Sequence, residues 1–158
     1  ANSKQSMKRN SSIIRATVDS GVARIVIPTD VCKDWPHEPS AESMAGVQYK
    51  VADGRKILDE GMRKIWARPK GCSQWWKVRP NVAGVHKMLL SVYQITKKGN
   101  GVWFSQEESY IINHETGQRI EIYEDNGTFY VDLEVETYDD WEKWIDDNKE
   151  QYPHGLHK

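Results

Sequence analysis

The chain has 158 residues, 38% of them hydrophobic and 28% charged, with a net charge of −1, which suits one domain with a modest core plus short extensions. Near-neutral charge excludes a bulk electrostatic reason to bind nucleic acid or an anionic surface, and no apolar run approaches the roughly 20 residues that cross a bilayer. Two cysteines, Cys32 and Cys72, exclude a disulfide-stapled secreted scaffold and show no metal-ligand spacing, so free thiols, an intracellular setting and no cofactor are expected.

Residues 1–12 are polar and basic, with Lys4, Lys8 and Arg9, and read as a flexible extension; no apolar stretch of the secretory-signal kind precedes Arg15. Ile13 to Val18 and Ala23 to Ile27 are β-branched runs on either side of Asp19-Ser20-Gly21, the pattern of strand, tight loop, strand. Pro28 to Ser43 is punctuated by Pro28, Pro36 and Pro39 and is expected to be irregular, with a helical turn at most near Val31 and Cys32. Val47 to Val51 alternates, stops at Ala52-Asp53-Gly54, and resumes at Lys56 to Leu58. Asp-Gly between extended segments predicts a hairpin, because both central residues of a type I′ turn need positive φ. Gly61 to Trp66 and Gln74 to Val78 are predicted strands separated by a turn at Pro69-Lys70-Gly71.

Met88, Leu89, Val92 and Ile95 fit a helical period loosely, so Lys87 to Lys98 is expected as a helix closed by Gly99. Four further strands are predicted at Val102 to Ser105, Tyr110 to Asn113, Arg119 to Tyr123 and Phe129 to Val135. Trp141, Trp144 and Ile145 stand at i, i+3 and i+4, which predicts a short amphipathic helix over Tyr138 to Asn148. Short strands with turns every 8 to 12 residues or so imply a mainly β barrel or sandwich with one or two short helices. The division expected is a basic extension (1–12), one β domain (13–135), and an acidic helix and tail (136–158).

Asp19-Ser20-Gly21 is the sharpest chemical feature. An aspartic protease presents a carboxylate on a rigid loop facing a second carboxylate. Two such groups about 3 Å apart cannot both ionise, so they share a proton, one acting as base on water and the other as acid. The hydroxyl can hydrogen-bond within the loop, and the glycine admits close backbone approach. The triplet alone marks an ordinary turn more often than a catalytic loop. Its surroundings are more specific: Lys50-Val51-Ala52-Asp53-Gly54, then Lys87-Met88-Leu89-Leu90-Ser91-Val92, Gln94 to Gly99, Val102-Trp103-Phe104, Tyr110-Ile111-Ile112, Thr116-Gly117-Gln118-Arg119 and Phe129 to Leu133. In this order and spacing the blocks resemble the protease region of copia-type retroelement polyproteins, over about three quarters of the chain.

The resemblance implies a retropepsin-like closed β-barrel and an aspartic endopeptidase that acts on polypeptides as a symmetric homodimer, one aspartate per chain. The sequence agrees in carrying one D-[ST]-G triplet. It implies that Asp19 is catalytic, that Ser20 and Gly21 support the loop, and that Ala52, Asp53 and Gly54 tip a substrate-covering flap. Two positions depart from the family pattern. Val22 replaces the small residue after the motif glycine, and Ser91 the usual glycine of the second apolar segment, a change that copia-type elements tolerate. The alternative is a domesticated, catalytically silent copy serving as a structural or adaptor subunit of a larger assembly, since a fold does not dictate an activity.

Arg63 to Lys87 interleaves cations with tryptophans. Arg68, Lys70, Trp75, Trp76, Lys77 and Arg79 are candidate contacts for a partner or for single-stranded nucleic acid, through phosphate neutralisation and base stacking. The competing reading, core tryptophans beneath a wet cationic face, is favoured by the alternation at Gln74 to Val78. The acidic run from Glu134 to Asp147 reads as a solvated face, less often as a docking surface for a basic partner. The five histidines are scattered without ligand spacing.

Overall fold

The structure is a computed structural model that describes residues 11–50 and 54–147. The centre of the fold is a pair of long strands, β1 (Ser11–Asp19) and β14 (Thr128–Glu136). They run antiparallel from Ser11 opposite Glu136 to Thr17 opposite Tyr130. Each alternates as a strand with one buried face must: Ala16 and Val18 in β1, and Val131, Leu133 and Val135 in β14, are buried.

On the free side of β1 lies β10 (Met88–Ser91), parallel to it from Ala16 opposite Met88 to Asp19 opposite Ser91. Next comes β2 (Val26–Pro28), antiparallel to β10 with Leu89 opposite Val26. The chain that leaves β1 and returns as β2 therefore straddles β10. β9 (Asn81–Ala83), β6 (Met62–Arg63) and β3 (His37–Glu38) continue outward. Every residue of β2 and β9 is buried, as expected of strands covered on both faces.

The other edge of β14 is shared. Its first residues pair with β13 (Arg119–Asp125), which continues into β12 (Ser109–Asn113) and β11 (Asn100–Trp103). Its last residues pair with β7 (Ile65–Pro69), and β8 (Trp76–Val78) pairs with β7. Asn126 and Gly127, both at positive φ, make the tight turn between β13 and β14. β4 (Gln48–Lys50) and β5 (Lys56–Leu58) form the predicted hairpin as a separate two-stranded sheet.

The chain is mainly β, as its turn spacing predicts. The 12-stranded sheet follows an open path from β11 to β3, and these end strands do not pair with each other; the described strands make no closed barrel. Three short helices are present among the described residues, where one or two were expected: α1 (Ala41–Met44), α2 (Val92–Lys97) and α3 (Tyr138–Asp147). α1 falls in the segment expected to be irregular. Ser40 caps it, and Ser43 returns a hydrogen bond to the Ser40 backbone, a reciprocal cap that prolines nearby obscure. Lys87 to Lys98 is not one helix. Met88-Leu89-Leu90 is a strand between β1 and β2, and the buried Ser91 then caps α2 by accepting from Gln94 N–H. β1 begins at Ser11, inside the stretch read as extension.

Trp141 of α3 is buried among Trp35, Trp66 and Trp75, with ring centroids 6.3, 5.4 and 4.8 Å away. Offset and edge-on pairs at such distances are favourable for aromatic rings. Trp35 also meets Tyr138 edge-on and donates its indole N–H to the Glu136 carbonyl. This aromatic cluster sits at the Ser11 end of β1. Asp19 ends the same strand eight residues along, about 26 Å away at the rise of an extended chain.

Candidate active-site loop

Asp19 is the last residue of β1, half-buried beside Ser91 of β10. Its Oδ1 accepts the Gly21 N–H at 2.7 Å, and its Oδ2 has no hydrogen bond among the described residues. A side chain on Gly21 would place a Cβ 3.1 Å from that same Oδ1, so glycine is what lets the loop fold back onto the carboxylate. Ser20 is exposed at the tip.

The loop is braced from outside itself. Fully buried Ser91 donates its hydroxyl to the Val22 carbonyl at 2.7 Å, and Gln94 Nε2 donates to the Ala23 carbonyl at 2.9 Å. Ser91 thus holds both the Asp19 loop and the first turn of α2. Val22 is accommodated half-buried. Neither brace is a motif; a serine immediately before a helical period is the only sequence signal for the first.

Of the flap positions, Gly54 is exposed at φ 90°, while Ala52 and Asp53 lie outside the described residues. The hairpin beneath them is in register, with Tyr49 opposite Ile57 and Lys50 opposite Lys56. Its base is fixed by a residue that motif reading passes over. Asp59 is 2% exposed, and its carboxylate collects four donors: Ser40 Oγ and Gly61 N–H on Oδ1, Tyr49 Oη and Asn81 Nδ2 on Oδ2. Burial alone would raise its pKa. The Tyr49 hydroxyl, the Gly61 amide, Ser40 and Asn81 prevail and hold it below the ordinary carboxylate value. Burial, reinforced by the Asp59 hydrogen bond and charge, pushes the Tyr49 hydroxyl upward in turn. The signal that could have found Asp59 is an acid two residues before a glycine, as in an Asx-turn.

The cation–tryptophan window divides. Trp75 is 6% exposed, inside the cage around Trp141, and Arg68 is bound to Glu134 at 2.7 Å while lying over the Trp75 ring. Trp76 is half-buried against the core. Lys70, Lys77 and Arg79 remain exposed. The structure therefore brings no run of open aromatic faces beside these cations. Cys32 and Cys72 are free thiols. Burial, then the Asp34 charge against the opposing Arg63, pushes the Cys32 thiol up to about 12, an unreactive state. Among the described residues no group of histidine, cysteine and acidic side chains could hold a metal ion, and no helix is long and apolar enough to cross a membrane.

No family model, curated protein or solved structure matches the chain.

Proposed function

We propose that the chain is a retropepsin-like aspartic endopeptidase that acts as a symmetric homodimer. Asp19 of each copy meets at the two-fold axis, where the pair shares one proton and activates water against a peptide carbonyl. The observation that carries this reading is the braced loop. Asp19 ends a strand paired on both edges, one carboxylate oxygen is tied to Gly21 N–H and the other is not, and β10 and α2 hold the next two carbonyls. Such a carboxylate is presented rigidly, which dyad chemistry requires. The aromatic cage around Trp141 lies toward the opposite end of β1 from Asp19.

The test is cleavage of an unstructured polypeptide by the protein and by Asp19→Asn, over about pH 4 to 7 where shared-proton dyads operate. Solution mass is measured on the same samples. Cleavage lost in the variant, together with a dimer, supports the proposal. Equal cleavage by both, cleavage by neither, or a strict monomer at high concentration overturns it. The second reading, a silent copy used as a structural or adaptor subunit, draws on the bulky Val22 next to the triplet and predicts a folded chain without cleavage.

A further inference from the structure

Three segments that are remote in sequence converge on Asp59. Ser40 is the cap of α1, Tyr49 belongs to the β4–β5 hairpin, and Asn81 begins β9. The contacts do not stop there. The Asn81 amide that donates to Asp59 at 2.8 Å also donates to Glu42 Oε1 at 3.0 Å, and Glu42 Oε2 pairs with Arg24 Nη1 at 3.0 Å. Arg24 lies in the loop that begins with Asp19, and Asn81 N–H is bound to the carbonyl of its neighbour Ile25. One polar chain, Arg24–Glu42–Asn81–Asp59–Tyr49, thus runs from the Asp19 loop to the hairpin.

A buried carboxylate needs its donors, because an ionised group without them is costly to bury. With four neutral donors on two oxygens, Asp59 has little freedom to rotate without releasing one. The hairpin's Tyr49 Oη reaches this centre with a 2.5 Å bond to Asp59 Oδ2. We propose that Asp59 is a positioning residue: through Tyr49 it fixes the base of the β4–β5 hairpin relative to the Asp19 loop. This rests on the reading above in treating the hairpin as the cover of the site, but the tie itself does not depend on catalysis.

The experiment uses the full chain and removes one atom. Tyr49→Phe deletes the hairpin's hydroxyl while Ser40, Gly61 and Asn81 still satisfy Asp59. Asp59→Asn is the harsher companion. Native-state amide exchange should accelerate in residues 48–50 and 56–58 by roughly tenfold in Tyr49→Phe, the effect of one charge-assisted hydrogen bond of ordinary net strength. The amides of β1 and β14 should keep their original rates. Unchanged hairpin exchange, or an equal acceleration across β1 and β14, overturns the proposal. With a cleavable peptide, Tyr49→Phe should raise KM several-fold and leave kcat within about twofold, the pattern of lost uniform binding. A fall in kcat at constant KM overturns the positioning role. Should Asp19→Asn and the original chain behave alike in cleavage, the proposed activity fails, and the exchange result still decides the role of Asp59.

Discussion

Trp141→Ala tests whether α3 belongs to the fold or merely follows it. Trp141 is 4% exposed and touches three other tryptophans. A buried tryptophan removes on the order of 200 Å² from water, and at about 25 cal/mol per Å² that is about 5 kcal/mol as an upper bound. Truncation of buried tryptophan to alanine costs about 3 to 5 kcal/mol where the surroundings cannot close up. The loss is capped by the free energy with which the helix docks, so the lower end of that range, about 3 kcal/mol, is expected. For a chain of this size that lowers Tm by about 6 to 12 °C. Urea unfolding followed by far-ultraviolet circular dichroism measures it without relying on the deleted fluorophore. A smaller m-value in the variant would mean that α3 detaches before the sheet unfolds. A loss below about 1 kcal/mol with an unchanged m-value would refute the view that the cage anchors the helix.

Two further outcomes follow from the loop and from Asp59. Ser91→Ala leaves the Val22 carbonyl and the Gln94 amide without their shared hydroxyl, and should cost about 2 kcal/mol in a denaturant titration. If the proposed activity holds, the same variant should lower kcat, because the Asp19 loop loses a brace. The lowered pKa of Asp59 means that the folded chain binds fewer protons than the unfolded one through the acid range. Its stabilisation is complete above the ordinary aspartate value, about 3.9, and disappears as pH falls through the lower native value. Unfolding free energy measured from pH 6 downward should therefore fall less steeply in Asp59→Asn than in the original chain; equal slopes would contradict it.

The legible parts of the fold were those written in adjacent residues. Ile13 to Val18 is β-branched and alternating, so β1 and the position of Asp19 at its end were predictable. The hairpin followed from Asp53-Gly54, although its tip lies outside the described residues. Met88-Leu89-Leu90 is a short apolar run that fits the helical and the extended period alike; only pairing with β1 and β2 makes it a strand. The tryptophans gave a composition that suits either a stacking surface or a core. What decided Trp75 was Trp141, far downstream and on a different element. Asp59 carries only one local mark, its spacing to Gly61, for the same reason: Ser40, Tyr49 and Asn81 share no local pattern, and a single buried carboxylate leaves no periodicity.

The order of synthesis gives the braced loop another meaning. Asp19 emerges early, but what shapes its surroundings emerges late. The Val22 carbonyl waits for Ser91, 69 positions downstream, and Arg15 in the same strand waits for Asp132, 117 positions downstream. Closing such distant pairs costs chain entropy before any contact repays it, so strands of this kind assemble slowly and together. A nascent chain halted before β10 carries the aspartate without the braces of its loop, and β1 lacks its long antiparallel partner until β14 is made. Timing is thus built into the topology: the Asp19 loop is braced only once β10 and α2 have been made, and its strand is flanked along both edges only once β14 follows.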